Sequence, residues 1–355
     1  MAQHLLKGNE AVIYGALLGG ATHYFGYPIT PASEIAHAAA NLFPRCGRQF
    51  LQAECEVSSI SMLYGAAAAG ARAITGSSGP GLSLMAEGLS YLAACELPSV
   101  VVDVQRAGPG LGYIWPEQAD YNFIVHGAGH GSQSGVVLAP NSAQEMCDCA
   151  YRAFTLAERF RCTVFILADA YIGQIMEPVE LPAALLSNPA KEWALSGDAA
   201  GRGNLITSIY MKVEELEERN RLLQEKYQRM AEEIVDFEEV ETADAEYLFV
   251  AYGISSRLCH SALQELRRKG IKAGMLRPKT LFPFPSLRLQ ELAGQMAKIA
   301  VVELSNGQLV RDVRLAVAGR VPVELYNWMG GRVPSTSEIV QRLEDSLAAR
   351  AGRNQ

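Results

Sequence analysis

An α/β protein built from two parallel-sheet units is what this sequence predicts. Two observations carry the prediction. Short apolar runs alternate with helix-like stretches over residues 1–180, and the same rhythm resumes at Ala245 after a charged interruption. The length agrees, because 355 residues exceed the usual span of one hydrophobic core. At 49% apolar and 19% charged residues, the chain has the material for large cores and is not a disordered one.

The runs Tyr24 to Tyr27, Gln49 to Gln52, Arg72 to Thr75, Ser99 to Val104, Gly135 to Ala139 and Thr163 to Ala168 read as strands of a sheet covered on both faces. Between them, Glu56 to Ala69 and Ser83 to Ala94 carry Ala, Ser and Met at helical spacing. Residues 181–205, rich in Pro, Ala, Gly and Asn, read as a linker, and residues 208–237 as a charged helix. In that helix Val213, Leu216, Leu223, Tyr227, Met230 and Ile234 follow a seven-residue repeat broken at Asn220. Either it docks a partner or it packs on its own domain; so short a repeat favours the second. From Ala245 the strands YLFVAYG, IKAGMLR, KIAVVEL and VPVELY alternate with helices at 256–269, 287–296 and 308–318. The expected division is a first domain at 1–182, linker and charged helix at 183–244, and a second domain at 245–345.

A net charge of −7 argues against nucleic acid or an anionic membrane as the main partner. Neither a signal peptide nor an apolar stretch of membrane-spanning length is evident, which places the chain in the cytoplasm. Seven cysteines without a C-x-x-C pair suit neither a disulfide framework nor a zinc or iron–sulfur site, so reduced thiols and no metal are expected.

Chemistry concentrates where strands end. Tyr27-Pro28-Ile29-Thr30-Pro31 follows an apolar strand, and its prolines stiffen a loop that presents the Thr30 hydroxyl where open α/β sheets bind ligands. Alone, the pentapeptide serves equally as a rigid connection. Glu56 opens a small-residue helix, with Gly65 nine positions on, then a strand and Gly76-Ser77-Ser78-Gly79-Pro80-Gly81. A lone Glu at a helix start ordinarily complements the helix dipole. The glycine turn invites comparison with a dinucleotide fingerprint, but Ser83 and Leu84 stand where the third small residue belongs. Arg106 precedes Ala107-Gly108-Pro109-Gly110-Leu111-Gly112, and its guanidinium suits a carboxylate held by two parallel hydrogen bonds. The plainer alternative is an ion pair with Asp103. His126 and His130 have metal-like spacing, yet Gly127, Gly129 and Gly131 argue against a helix there. Asp169 reads as a strand-end residue.

The spacing from Glu56 through Gly65 to Gly79-Pro80-Gly81 is similar to that of the pyrimidine-binding domain of thiamine diphosphate enzymes. With YPITP, Gln52-Ala53-Glu54-Cys55-Glu56 and Arg106, the chain resembles the α subunit of 2-oxoacid:ferredoxin oxidoreductases. GNEA at 8–11, EPVELP at 177–182, and YGISSR, LRPKTLFPFP and VVELSNGQL in the second half extend the likeness over nearly the whole chain. The resemblance implies a thiamine diphosphate-binding fold followed by a domain like the C-terminal one of transketolase. It implies Glu56 as the catalytic group at the aminopyrimidine, Thr30, Ile29 and Arg106 at the substrate, and Pro28, Ser78, Gly79, Pro80 and Gly81 around the cofactor. It further implies a β subunit carrying the diphosphate and Mg²⁺ domain, γ or ferredoxin-like δ subunits with [4Fe-4S] clusters, coenzyme A as co-substrate and ferredoxin as acceptor. An isolated chain is then expected to be silent. The branched-chain 2-oxoacid (2-oxoisovalerate) enzymes are the nearer match and the 2-oxoglutarate enzymes the alternative. A non-redox thiamine decarboxylase or synthase, or a non-catalytic scaffold, are the more distant readings.

Overall fold

β-branched residues at alternate positions of Ser99–Ala107 give the strand on which the first half is built. Val100, Val102 and Val104 enter one apolar core while Val101 enters another, so the strand is covered on both faces. The computed structural model describes residues 3–353. In chain order the first half contains β1 (Gln3–Lys7), α1 (Gly8–Leu18), β2 (His23–Gly26), α2 (Ser33–Arg45), β3 (Gln49–Gln52), α3 (Glu56–Ala68), β4 (Ala73–Ser77), α4 (Gly79–Ala94) and β5 (Ser99–Ala107). It continues with β6 (Tyr113–Pro116), α5 (Tyr121–Val125), β7 (Val136–Leu138), α6 (Ala143–Phe160), β8 (Thr163–Asp169), α7 (Ala170–Gln174) and β9 (Met176–Glu180). The second half holds α8 (Val213–Glu233), β10 (Phe237–Val240), β11 (Tyr247–Val250), α9 (Gly253–Arg268), β12 (Ala273–Pro278) and β13 (Thr280–Phe282). After these come α10 (Ser286–Ala293), β14 (Lys298–Glu303), α11 (Leu309–Val317), β15 (Val323–Asn327) and α12 (Thr336–Arg353).

Strands β7-β8-β5-β4-β2-β3 form a parallel sheet, and β11, β12, β14 and β15 form a second one. Crossover helices enforce this parallel geometry. The structure departs from the sequence expectations at several points. Gly79-Pro80-Gly81 is the first turn of α4, which therefore begins four residues before Ser83. Proline is favoured in a first turn because no intrahelical N–H bond is needed there. The charged helix spans Val213–Glu233, and Phe237–Val240 becomes a strand antiparallel to β12. Only the C-terminal part of its repeat packs inward: Leu223, Tyr227 and Met230 are buried, whereas Val213 is 79% exposed.

The two halves are fastened at the carboxyl edge of the first sheet. β13 pairs antiparallel with β7, so a strand from the second half extends the first sheet. Arg277, buried, makes two hydrogen bonds to Glu145 at 2.7 and 2.8 Å. Gln118 accepts from Leu304 N and donates to Tyr252 O. Asp169 is fully buried at the end of β8 and accepts from Ile172 N at 3.0 Å and Ile254 N at 2.8 Å. The close approach requires Gly253, whose φ is +53° and where a Cβ would lie 2.4 Å from the Asp169 carboxylate. Burial raises the Asp169 pKa to about 6 against the opposing pull of these backbone donors. Asp169→Ala leaves two buried N–H groups unpaired, so we expect a loss of about 2–4 kcal/mol in a urea titration, with a shift below 0.5 kcal/mol contradicting the latch.

Candidate active site

The loops after β2, β4 and β5 meet at the carboxyl edge of the first sheet, the place where such sheets bind ligands. Glu56 is the first residue of α3 and is 5% exposed. Its carboxylate makes no hydrogen bond to any of the described residues, which leaves its oxygens available to a ligand. It lies against the turn entering α4: a Cβ at Gly81 would stand 2.1 Å from Ser77 Oγ and 2.6 Å from Glu56 Oε1. Ser77 and Ser78 are fully buried, and both hydroxyls lack partners. A buried glutamate and two unpartnered hydroxyls thus crowd against a glycine whose missing side chain makes space for them, a set of polar groups that a planar ring bearing donors and acceptors could satisfy. The aminopyrimidine of thiamine is such a ring.

Arg106 closes the neighbouring side. One guanidinium nitrogen, Nη1, donates to the Thr30 carbonyl at 2.7 Å, and Nη2 donates to the Leu111 carbonyl at 2.9 Å. The expected alternative, an ion pair with Asp103, does not form, because residues 103 and 106 alternate to opposite faces of β5. Arg106 makes no ion pair among the described residues and so presents a positive charge free to receive a carboxylate. Thr30 is exposed on the adjoining loop. Arg106, Gly79 and Pro80 line a cavity of about 730 Å³. Thr30 lines another of about 560 Å³ with Ile114, Trp115, Pro116, Tyr171 and Ile175. Pro28 and Ile29 line neither; both are half-buried, and Ile29 packs against the core. Residues 126 to 131 form a loop in which His126 meets Asp312 at 3.2 Å and the His130 carbonyl accepts from Ser90. Among the described residues no cluster of three or more His, Cys, Asp or Glu side chains is placed to hold a metal ion.

Two carboxyls beside this site had no sequence motif to announce them. Asp103 is fully buried, both its oxygens lack a donor from other residue types, and its contact is Asp120. Asp120 lies against the cofactor-side turn, with a Cβ at Gly79 falling 2.8 Å from its Oδ1. Burial holds Asp103 well above the usual carboxylate range, and the charge of Asp120 pushes it further. Asp120 is raised to about 6 by burial and the Glu117 charge, with Asp103 and Arg106 opposing. Both folded values exceed those of the unfolded chain, so the folded state binds the extra protons. The stability this confers is complete below about pH 4 and is lost as pH rises through 6 and above. Asp103→Asn keeps the neutral form at every pH. The variant should flatten the decline in stability between pH 6 and 8, whereas a slope equal to that of the unmodified chain would contradict a shared proton.

Comparison with known proteins identifies the family. Residues 14–237 match the family model described as pyruvate flavodoxin/ferredoxin oxidoreductase, thiamine diphosphate-binding, and residues 245–339 match pyruvate:ferredoxin oxidoreductase core domain II. The ketoisovalerate oxidoreductase subunit VorB of Methanothermobacter marburgensis is 53% identical over 97% of this chain and 98% of its own. The 2-oxoglutarate synthase subunit KorA of Archaeoglobus fulgidus is 39% identical over 90% and 93%. Among solved structures, 2-oxoglutarate:ferredoxin oxidoreductase from Magnetococcus marinus, with 2-oxoglutarate, coenzyme A and succinyl-CoA bound, superposes with a TM-score of 0.89 at 27% identity. That match covers 97% of this chain, which spans 65% of the longer one. A buried, unpartnered glutamate at a glycine turn, an unpaired arginine clasping the YPITP loop and these likenesses together lead to one conclusion: the chain belongs to the pyruvate flavodoxin/ferredoxin oxidoreductase family.

Proposed function

We propose that this chain is the α subunit of a 2-oxoacid:ferredoxin oxidoreductase. The reaction is thiamine- and coenzyme A-dependent oxidative decarboxylation of a 2-oxoacid to acyl-CoA, carbon dioxide and reduced ferredoxin. The observation that carries this reading is the Glu56 carboxylate, buried beside Ser77 and Gly81 with no partner of its own. A branched-chain acid such as 2-oxoisovalerate is favoured by the 53% identical relative, and 2-oxoglutarate is the alternative suggested by the 39% identical one.

When bound, thiamine diphosphate supplies an acidic thiazolium carbon that adds to the oxo group and takes up the electron pair released with carbon dioxide. This chain's part is to position and polarise. With the cofactor bound, Glu56 would hold a proton at the ring nitrogen of the aminopyrimidine. The absence of a side chain at Gly81 lets Ser77 and Glu56 sit together at the start of α4, and Ser78 with Gly79 and Pro80 would shape the adjoining wall of the cofactor site. Arg106 binds the substrate carboxylate, while Thr30 donates its hydroxyl to the acid from the loop that Arg106 clasps. Pro28 and Ile29 keep that loop in place.

The remaining parts belong to other polypeptides: a β subunit with the diphosphate and Mg²⁺ domain, and γ or ferredoxin-like δ subunits with [4Fe-4S] clusters that pass electrons to ferredoxin. The division of labour in this chain follows the boundaries 1–182, 183–244 and 245–345. No helix among the described residues is long and apolar enough to cross a membrane, which is compatible with work in the cytoplasm.

The complex purified with its partners, assayed anaerobically with thiamine diphosphate, Mg²⁺, coenzyme A and a viologen, should reduce the dye with a 2-oxoacid and fail without coenzyme A. No reduction by a complex that retains thiamine and clusters would contradict the proposal. Arg106→Met removes a charged hydrogen bond worth about 2–3 kcal/mol, so kcat/KM should fall roughly 30- to 150-fold. Gly81→Ala should abolish thiamine retention by pushing Glu56 and Ser77 apart; retention at the level of the unmodified complex would remove Gly81 from the cofactor site.

A further inference from the structure

We propose that the cavity between β6 and α7 receives the side chain of the substrate, and that Ile114, Trp115, Tyr171 and Ile175 select a branched aliphatic chain over an anionic one. The inference rests on the reading of Thr30 and Arg106 as the grip on the acid's carboxylate and oxo end. Thr30 stands on the wall of this cavity, and its carbonyl is bonded to Arg106 at 2.7 Å. A 2-oxoacid whose oxo end meets Thr30 can direct its remaining carbons into this cavity, where Ile114, Trp115, Tyr171 and Ile175 form an apolar side opposite the polar Ser33, Glu34, His37 and Gln174.

Strand β6 turns back on β5 and carries Ile114 and Trp115, 50% and 55% exposed. Tyr171 on α7 is 44% exposed on the opposite side. Large apolar side chains left in the open around a cavity of about 560 Å³ are the usual lining of a small-molecule site.

Charge decides against a dicarboxylate. No lysine or arginine lines the cavity among the described residues, and exposed His37 is its one basic side chain. Glu34 does line it, and accepts hydrogen bonds from Lys7 at 3.2 Å, Asn9 at 3.1 Å and Gln174 at 3.0 Å. Burial disfavours the Glu34 charge, but these donors outweigh it and hold the pKa below the ordinary value. Lys7 is already paired with Glu34 and is absent from the cavity wall. A second carboxylate on the substrate would face this anion, whereas an isopropyl group would meet carbon.

The test uses the complete complex and compares kcat/KM for 2-oxoisovalerate, 2-oxoglutarate and pyruvate. Trp115→Ala should lower the ratio of 2-oxoisovalerate to pyruvate about tenfold or more, the range expected when one or two methyl groups lose their contacts. Ile114→Lys places a cation in the cavity and should move the ratio of 2-oxoglutarate to 2-oxoisovalerate about tenfold toward the dicarboxylate. An active complex in which both variants change all three acids by the same factor overturns the pocket assignment alone. A wild-type complex silent toward all three contradicts the reading of the site itself.

Discussion

A carboxylate buried without a partner is the constraint around which this molecule is organised. Glu56 is buried at the start of α3, and its oxygens take no hydrogen bond from the described residues. The same helix start on a solvated surface would stabilise α3 through its dipole. Here the residue keeps its place at the helix start and lies against Ser77 and Gly81. Ser77, Ser78 and the Asp103–Asp120 pair continue the pattern, so polar groups that fold formation leaves unsatisfied accumulate around one turn.

The surrounding structure makes such a site tolerable. β4 is buried throughout and β5 everywhere but at half-buried Arg106, and their carboxyl ends carry Ser77, Asp103 and Arg106. Arg106 then ties two loops together through backbone carbonyls, leaving its charge uncancelled. Behind this edge, Asp169, Gln118 and the Arg277–Glu145 pair lock the second half against the first. The second half also supplies Asn306, Gln308, Met329 and Gly330 to the cavity that Arg106 faces. It is thus part of the site's wall as well as a structural support.

Much of this was legible from residues alone. Parallel strands buried on both faces announce themselves as apolar runs, and five of the six runs in the first half fall within a residue or two of the observed strands at both ends. The run at Ser99 is longer than expected because Gln105 and Arg106, polar in type, continue the strand to bonding partners at its end. Strands β6, β10 and β13 were not foreseen: each is three or four residues long, and pairing rather than local pattern makes them strands. Glu56 and Gly81 were singled out by their spacing, and Arg106 by its place at a strand end together with the family resemblance. Asp103, Asp120 and the Ile114–Trp115 wall were not, since a buried acid pair and an exposed aromatic strand become visible only when distant segments are brought together.

The most direct measurement of the central claim is the rate at which the thiazolium C2 proton of bound thiamine diphosphate exchanges with deuterium, followed by acid quench and proton NMR on the complete complex and on Glu56→Gln. The account predicts rapid exchange in the unmodified complex and a slowing of about a hundredfold or more in the variant, with thiamine still bound. Equal exchange rates in the two, at equal thiamine content, would contradict it.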